Sequence, residues 1–146
     1  ILMNKLFVAA LKEETIGLDY FYHTGVGKIN ATYNLTKLIH IHKPLEVINY
    51  GTAGSIKKGL LGIVECTKFY QRDMDVTGLM NLKQIEIKVD LVDMEAYALA
   101  KVCKLEGINF KCFKYISDNA NDSAPTDWIK NCKKGAELFH NMINDF

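Results

Sequence analysis

Residues 91–105 read Leu-Val-Asp-Met-Glu-Ala-Tyr-Ala-Leu-Ala-Lys-Val-Cys-Lys-Leu, and the spacing within them frames the rest of the chain. Leu91, Met94, Ala98, Val102 and Leu105 recur at steps of three and four, which predicts a helix with one apolar stripe. Asp93 is its expected N-cap. Glu95 then falls in the first turn, where the helix dipole favours a negative charge. Between Met94 and Ala96, that carboxylate emerges at the edge of the buried face. Dipole compensation alone explains one such glutamate, so its meaning depends on what surrounds it.

Working outward, Phe110–Ile116 is a strand with alternating lysines that runs into Ser117-Asp118-Asn119. A closing helix spans Asp127–Asp145, with Ile129, Cys132, Ala136, Phe139 and Ile143 on one stripe. Towards the N-terminus, Gly62–Tyr70 alternates as a strand and ends in Arg72-Asp73-Met74-Asp75; Met80–Asp90 has no clear period. Leu45–Asn49 is a buried strand after Pro44, opening into the small residues Tyr50-Gly51-Thr52-Ala53-Gly54-Ser55, which let another group approach the backbone. A helix runs from the Gly25-Val26-Gly27-Lys28 turn to about His42. Asn30 and Ile29 break the GxGxxG and Walker A patterns there, but the turn's N–H groups can still face a ligand. Asp19–Thr24 is a short strand. Lys5–Leu11 is a continuous apolar strand followed by Glu13 and Glu14.

Strands alternating with helices predict an α/β fold: one domain over 1–146, its sheet mixed and largely parallel, flanked by helices on both faces. In such a sheet Glu14, Glu95 and Asp118 stand at strand ends or a helix start along one rim, where ligands bind.

Composition narrows the class. With 49% hydrophobic and 24% charged residues and a formal net charge of +1, the chain has no field directed at nucleic acid or a membrane surface. No run is long enough to span a bilayer. Cys66, Cys103, Cys112 and Cys132 show no metal-ligand spacing and read as reduced, mostly buried thiols of a cytoplasmic protein. No metal and no cofactor is expected.

The segments AALKEE, TGVGKINA, YGTAGS, RDMDVTG, VDMEA and ISDNAND stand in one order along the chain. In that order they resemble the nucleoside phosphorylase/nucleosidase superfamily, and within it the 5'-methylthioadenosine/S-adenosylhomocysteine nucleosidases. The resemblance implies a nucleoside phosphorylase-like fold and cleavage of the N-ribosidic bond of a small-molecule purine nucleoside. It also implies a role in methionine salvage and a homodimer. By the same resemblance Asp118 is the general acid at purine N7, with Ser117 holding it, and Glu14 activates the attacking water. Glu95 binds the ribose hydroxyls, Met94 packs under the sugar, and Thr52, Ala53 and Gly54 form the floor. Asp93 and Val26 line the substrate, and Trp128 closes the 5'-substituent pocket.

Chemistry supports two carboxyls at such a site. An oxocarbenium-like sugar and a poor leaving group call for a proton donor at the base and anionic groups at the sugar. Phosphorolysis instead favours arginines that clamp phosphate. Arg72 is the sole arginine, and Lys28 offers only a point charge, so hydrolysis is the expected reaction. Three alternatives stay open: a nucleosidase with another 5'-group, such as futalosine hydrolase; a nucleoside phosphorylase; or a nucleoside-binding protein without turnover. The family carries a longer segment between Leu79 and Val92, with the aromatic that stacks on the base, and a longer join after Glu14. We therefore expect loops after Glu14 and near Met80 to be missing from this 146-residue form, and no adenine-binding residue is named.

Overall fold

A computed structural model of the chain describes residues 4–71, 88–121 and 124–144, without the side chains of 124–127, 129 and 130. Arg72, the acidic stretch after it, the Met80 region up to residue 87 and the side chains of Asp127 and Ile129 lie outside the described residues. Strand β1 (Lys5–Ala9) leads through a 3-10 turn (Lys12–Thr15) to β2 (Phe21–His23) and helix α1 (Lys28–His42). Then come β3 (Glu46–Ser55), β4 (Ile63–Cys66), β5 (Leu91–Val92), α2 (Ala96–Glu106), β6 (Asn109–Asp118) and α3 (Ala124–Ile143).

The sheet order is β2-β1-β3-β6-β4, with β5 paired to the end of β3. Strands β2, β1, β3 and β6 are parallel, while β4 runs antiparallel to β6 and β5 to β3. This is the expected mixed, largely parallel α/β sheet. Its two central strands carry near-continuous buried runs because helices cover both faces. On one face Leu6, Val8 and Val47 pack with Ala31, Leu35 and Ile39 of α1 and with Ala98, Leu99, Val102 and Cys103 of α2. On the other, Ala9, Phe21, Ile48, Tyr50, Phe113 and Tyr115 pack around Phe139 of α3.

Three local expectations are corrected. Leu91 and Val92 form strand β5, so the helix starts only at Ala96 and Glu95 is its cap residue rather than a first-turn residue. Its buried face is Ala98-Leu99-Val102-Cys103, while Met94 and Leu105 are 61% and 73% exposed. The spacing is helical, but Leu91 and Met94 lie before the helix start. The third correction is Tyr50–Ser55, which continues β3 instead of following a strand that ends at Asn49. The sheet ladder on β6 outweighs the weak strand preference of its glycines. Boundaries elsewhere shift by a few residues, the largest being the strand expected over Gly62–Tyr70, which pairs only over Ile63–Cys66.

Helix α1 ends as its sequence dictates: Lys43 adopts the left-handed conformation (φ 50°) with its N–H on Ile39 O, and Pro44 follows. Helix α3 lies close on the sheet because Gly135 has no side chain. A Cβ there meets Tyr50 Oη at 2.5 Å and the Tyr115 ring at 2.6 Å. Alanine would gain about 1 kcal/mol of helix propensity. Overpacking against two buried rings costs about 1–3 kcal/mol. Gly135→Ala is therefore expected to lower the urea midpoint, and an unchanged or raised midpoint would contradict the close packing of α3.

Candidate active site

The carboxyl ends of β1, β3 and β6 lie along one rim of the sheet, and the turns that leave them bring the acidic residues there. Glu14, in the 3-10 turn after β1, is 5% exposed and tightly bonded. Its Oε2 accepts the Leu11 N–H (3.1 Å), and its Oε1 accepts both the Thr52 N–H (2.9 Å) and the Thr52 hydroxyl (2.8 Å). Trp128 Nε1 in turn donates to Thr52 Oγ1 at 2.6 Å. Helix α3 is thus linked to β3 and to the turn after β1 by one chain of hydrogen bonds.

Asp118 closes β6. The β3–β6 register pairs Ala53 with Ile116 and Gly54 with Asp118, so Ser117 is an extra residue in a bulge. Bulges re-aim the side chains beside them. Here the Ser117 hydroxyl donates to Asp118 Oδ2 (2.7 Å) and the Ala120 N–H to Oδ1 (2.7 Å). Asn131 of α3 holds the Ser117 carbonyl at 3.2 Å. Ala120 carries a positive φ of 53°, a conformation uncommon for a residue with a Cβ, and its turn wraps the aspartate. Gly54 makes room for this: a Cβ there would meet Asp118 Oδ1 at 2.7 Å. Gly51 does the same three residues earlier, on the opposite face of the strand, where a Cβ would meet Lys114 Nζ at 3.0 Å and Glu14 Oε1 at 3.4 Å. The small residues of Tyr50–Ser55 do admit other groups to the backbone, though from within a strand.

Glu95 is buried and accepts the Gly27 N–H at 2.9 Å. Gly27 is the cap residue of α1, so this carboxylate satisfies a backbone donor at that helix start. The Gly25–Lys28 turn thus spends that donor on Glu95 rather than presenting it to a ligand. Burial pushes the Glu95 pKa up, aided by Asp93 and Glu14 and opposed by the Gly27 bond and Lys114. Val26 and Met94 stand at 39% and 61% exposure on either side of that contact, and Ala53 is buried in β3.

Sequence reasoning missed Lys114. It sits mid-strand in β6, and its ammonium lies 2.7 Å from Asp93 Oδ2, with the two side chains 4% and 14% exposed. Asp93 is not the cap residue that the sequence suggested, since that place falls to Glu95, but its carboxylate still accepts the Ala96 N–H (3.1 Å) at the start of α2 while pairing with a buried cation. Burial opposes the charge on Lys114, but Asp93, Cys112 and Glu14 outweigh it and hold its pKa above the ordinary lysine value. The available signal was the strand itself. A lysine flanked by Phe113 and Tyr115 in a strand covered on both faces cannot reach water and demands an acid. Thus Glu14, Lys114, Asp93 and Glu95 form one charged cluster, and Asp118 with Ser117 stands at the neighbouring strand end. A cavity of about 490 Å³ lies beside this rim, between Ala10–Glu13 and His23–Asn34.

Residues 62–146, more than half of the chain, match the family model of the phosphorylase superfamily, and the chain belongs to that superfamily. It is similar to a 5'-methylthioadenosine/S-adenosylhomocysteine nucleosidase of Marinomonas sp. (strain MWYL1), at 25% identity over 207 aligned positions taking in 95% of this chain and 90% of that protein. Among solved structures, the Helicobacter pylori 5'-methylthioadenosine/S-adenosylhomocysteine nucleosidase with butyl-thio-DADMe-Immucillin-A superposes at a TM-score of 0.86, with 18% identity and 100% of both chains covered. The futalosine hydrolase of Helicobacter pylori strain 26695 gives 0.85, 18% and 99% of both chains. These likenesses establish the nucleoside phosphorylase-like fold. Among the described residues no helix is long and apolar enough to cross a membrane.

The raised pKa of Glu95 has a sign that can be checked. Its ionised form is disfavoured in the folded chain, so it costs stability above the ordinary carboxyl pKa, and the cost vanishes below about pH 4. Glu95→Gln keeps an acceptor for Gly27 and removes the buried charge. The variant is expected to melt above the parent at pH 7, with the difference shrinking as pH falls towards 4. A parent more stable than the variant at pH 7 would refute a strained Glu95.

Proposed function

We propose that this chain hydrolyses the N-ribosidic bond of 5'-methylthioadenosine- or S-adenosylhomocysteine-type nucleosides, releasing adenine and a 5-thio-ribose. The observation that carries the reading is the pairing of two differently held carboxyls at one rim: Asp118 on its bulge, and Glu14 in its basket of donors. The named relatives, with their family membership, supply the substrate class.

In this reading the bond breaks towards an oxocarbenium-like sugar, and Asp118 delivers a proton to N7 of the departing purine. Its proton replaces one of the two hydrogen bonds its oxygens now accept, and the Ser117 hydroxyl keeps the carboxyl oriented. Glu14, already fixed by Thr52 and Leu11, orients and deprotonates the attacking water. Glu95 faces the ribose hydroxyls and Met94 packs under the sugar, with Asp93 and Val26 beside it. Thr52, Ala53 and Gly54 form the floor, and Trp128 closes the 5' side. Positioned carboxylates also stabilise the cationic sugar electrostatically. Hydrolysis is favoured over phosphorolysis because Arg72 is the sole arginine of the sequence, whereas bidentate phosphate binding is arginine chemistry.

Incubation with methylthioadenosine is expected to release free adenine at neutral pH. Asp118→Asn is expected to cut kcat by about 10²–10⁴, the usual worth of a positioned acid, with an unchanged far-UV circular dichroism spectrum. Near-normal turnover in the variant would remove Asp118 from the acid role. Tight binding with no release of base by the parent would turn the reading into a binding protein. Cleavage of futalosine in preference to methylthioadenosine would assign the other 5'-group.

The same reading takes the enzyme to be a cytoplasmic homodimer acting in methionine salvage, and the natural polypeptide to carry further residues after Glu14 and near Met80. In support of the last point, an alignment of 207 positions on a 146-residue chain requires gaps in this chain. Light scattering of the natural protein at micromolar concentration, with intact mass spectrometry, is expected to give twice a protomer mass above 16.5 kDa. A monomer overturns the dimer, and a protomer of 16.5 kDa overturns the added segments.

A further inference from the structure

Cys66 and Cys112 are register partners on the antiparallel strands β4 and β6. Directly opposite residues project to the same face of a sheet, so both thiols stand on the side that carries Lys114. The Ile116 N–H donates to Gly62 O at 3.0 Å, so the alternate pairs 64–114 and 66–112 are the hydrogen-bonded ones, with Cα atoms about 5.5 Å apart. Disulfides bridge Cα separations of about 4.4–6.8 Å with Cβ atoms about 3.5–4.5 Å apart, so joining this hydrogen-bonded pair, whose Cβ atoms stand about 5.5 Å apart, draws the two strands together locally by about 1–2 Å.

Their surroundings are unequal. Cys66 lies on β4 at the end of the sheet order and is half-buried, whereas Cys112 is fully buried and donates to Asn49 Oδ1 at 3.3 Å. The neighbouring Cys112 thiol lowers the Cys66 pKa, while burial drives that of Cys112 well up. One sulfur is therefore reachable and the more acidic. The other is sheltered, and its thiol lies against the first. Cys103 and Cys132 are buried on helices, and burial lifts their thiols to about 12 and about 11.

We propose that Cys66 and Cys112 form a peroxide-oxidisable dithiol, with Cys66 as the attacking and Cys112 as the resolving cysteine. The Cys66 thiolate attacks one oxygen of hydrogen peroxide. The O–O bond breaks, Cys66 becomes a sulfenic acid, and the departing hydroxide takes up a proton as water. The Cys112 sulfur then attacks the Cys66 sulfur. The S–O bond breaks, and the hydroxide leaves with the Cys112 proton as a second water. Two thiols lose two electrons to the peroxide, and one disulfide remains. The proposal is independent of the reaction assigned to the rim.

The test uses the purified full chain, reduced, treated with hydrogen peroxide, then unfolded and alkylated with iodoacetamide. Intact mass is expected to show two alkylated cysteines in place of four, and digestion a Cys66–Cys112 linked peptide that dithiothreitol abolishes. In Cys66→Ser, the three remaining cysteines are expected to stay alkylatable. In Cys112→Ala, Cys66 is expected to halt as a sulfenic acid trapped by dimedone. Four alkylated cysteines after peroxide, a Cys66 sulfinic acid beside an alkylatable Cys112, or a Cys66 bridge between two chains would each overturn it.

Discussion

The buried ion pair between Lys114 and Asp93 ties together the parts of the structure that matter most at the rim. Lys114 belongs to a central strand and Asp93 to the approach to α2, so the contact fixes a helix start to the sheet. Such a pair contributes little net stability, since desolvating two charges offsets most of their attraction. Removing one partner, however, leaves a buried charge and costs about 3–5 kcal/mol. Its consequence is therefore positional. With Asp93 held, Ala96 begins the helix, Glu95 is the residue before it, and Glu95 can reach the Gly27 N–H at the start of α1. Two helices on the same face of the sheet are in this way oriented by one lysine that no solvent reaches.

The backbone does the complementary work at β3 and β6. Polar groups come close to a strand only where side chains are missing, and Gly51 and Gly54 supply two such gaps on opposite faces of β3. The bulge at Ser117 turns Asp118 onto the second gap, and Glu14 with Lys114 fills the first. Neither acid hangs free. Each is held by donors from at least two residues, which sets its orientation before any ligand arrives. Preorganisation of this kind is what electrostatic catalysis requires, because no reorientation is then needed as charge develops.

Much of this was legible in the residues. Apolar runs gave β1 and the start of β3, and a stripe of period 3.6 gave α3, because burial on one or both faces writes itself directly into composition, while the glycine turn and Pro44 bounded α1. Glu14, Glu95 and Asp118 were legible as element ends. What failed was local. The start of α2 differs because Leu91 and Met94 fit a helical period by accident, while Leu91 pairs with β3 and Met94 faces solvent. The strand expected to end at Asn49 runs on to Ser55, because glycines weaken a strand signal and only the partner strand shows Tyr50–Ser55 to be ladder. The bulge has no sequence signature at all, since it exists only in the register between two strands. Lys114 was passed over because alternation suggests a solvent-facing lysine, an inference valid for a strand with one open face and invalid for a covered one.

Glu95 shows why such a site departs from what stability alone would select. Burial strains its ionised form, and a neutral acceptor at that position would hold Gly27 without the strain. Lys114 relieves part of the strain and Asp93 adds to it, so the local charge balance is not arranged for the comfort of this carboxylate. A costly ionised group kept beside exposed Met94 and half-open Val26, at the carboxyl rim of a parallel sheet, is expected where it meets a ligand. Under the proposed reading, the ribose hydroxyls are that ligand. They are donors, they suit a carboxylate better than an amide, and their binding repays in the complex part of what the free protein spends in keeping the charge.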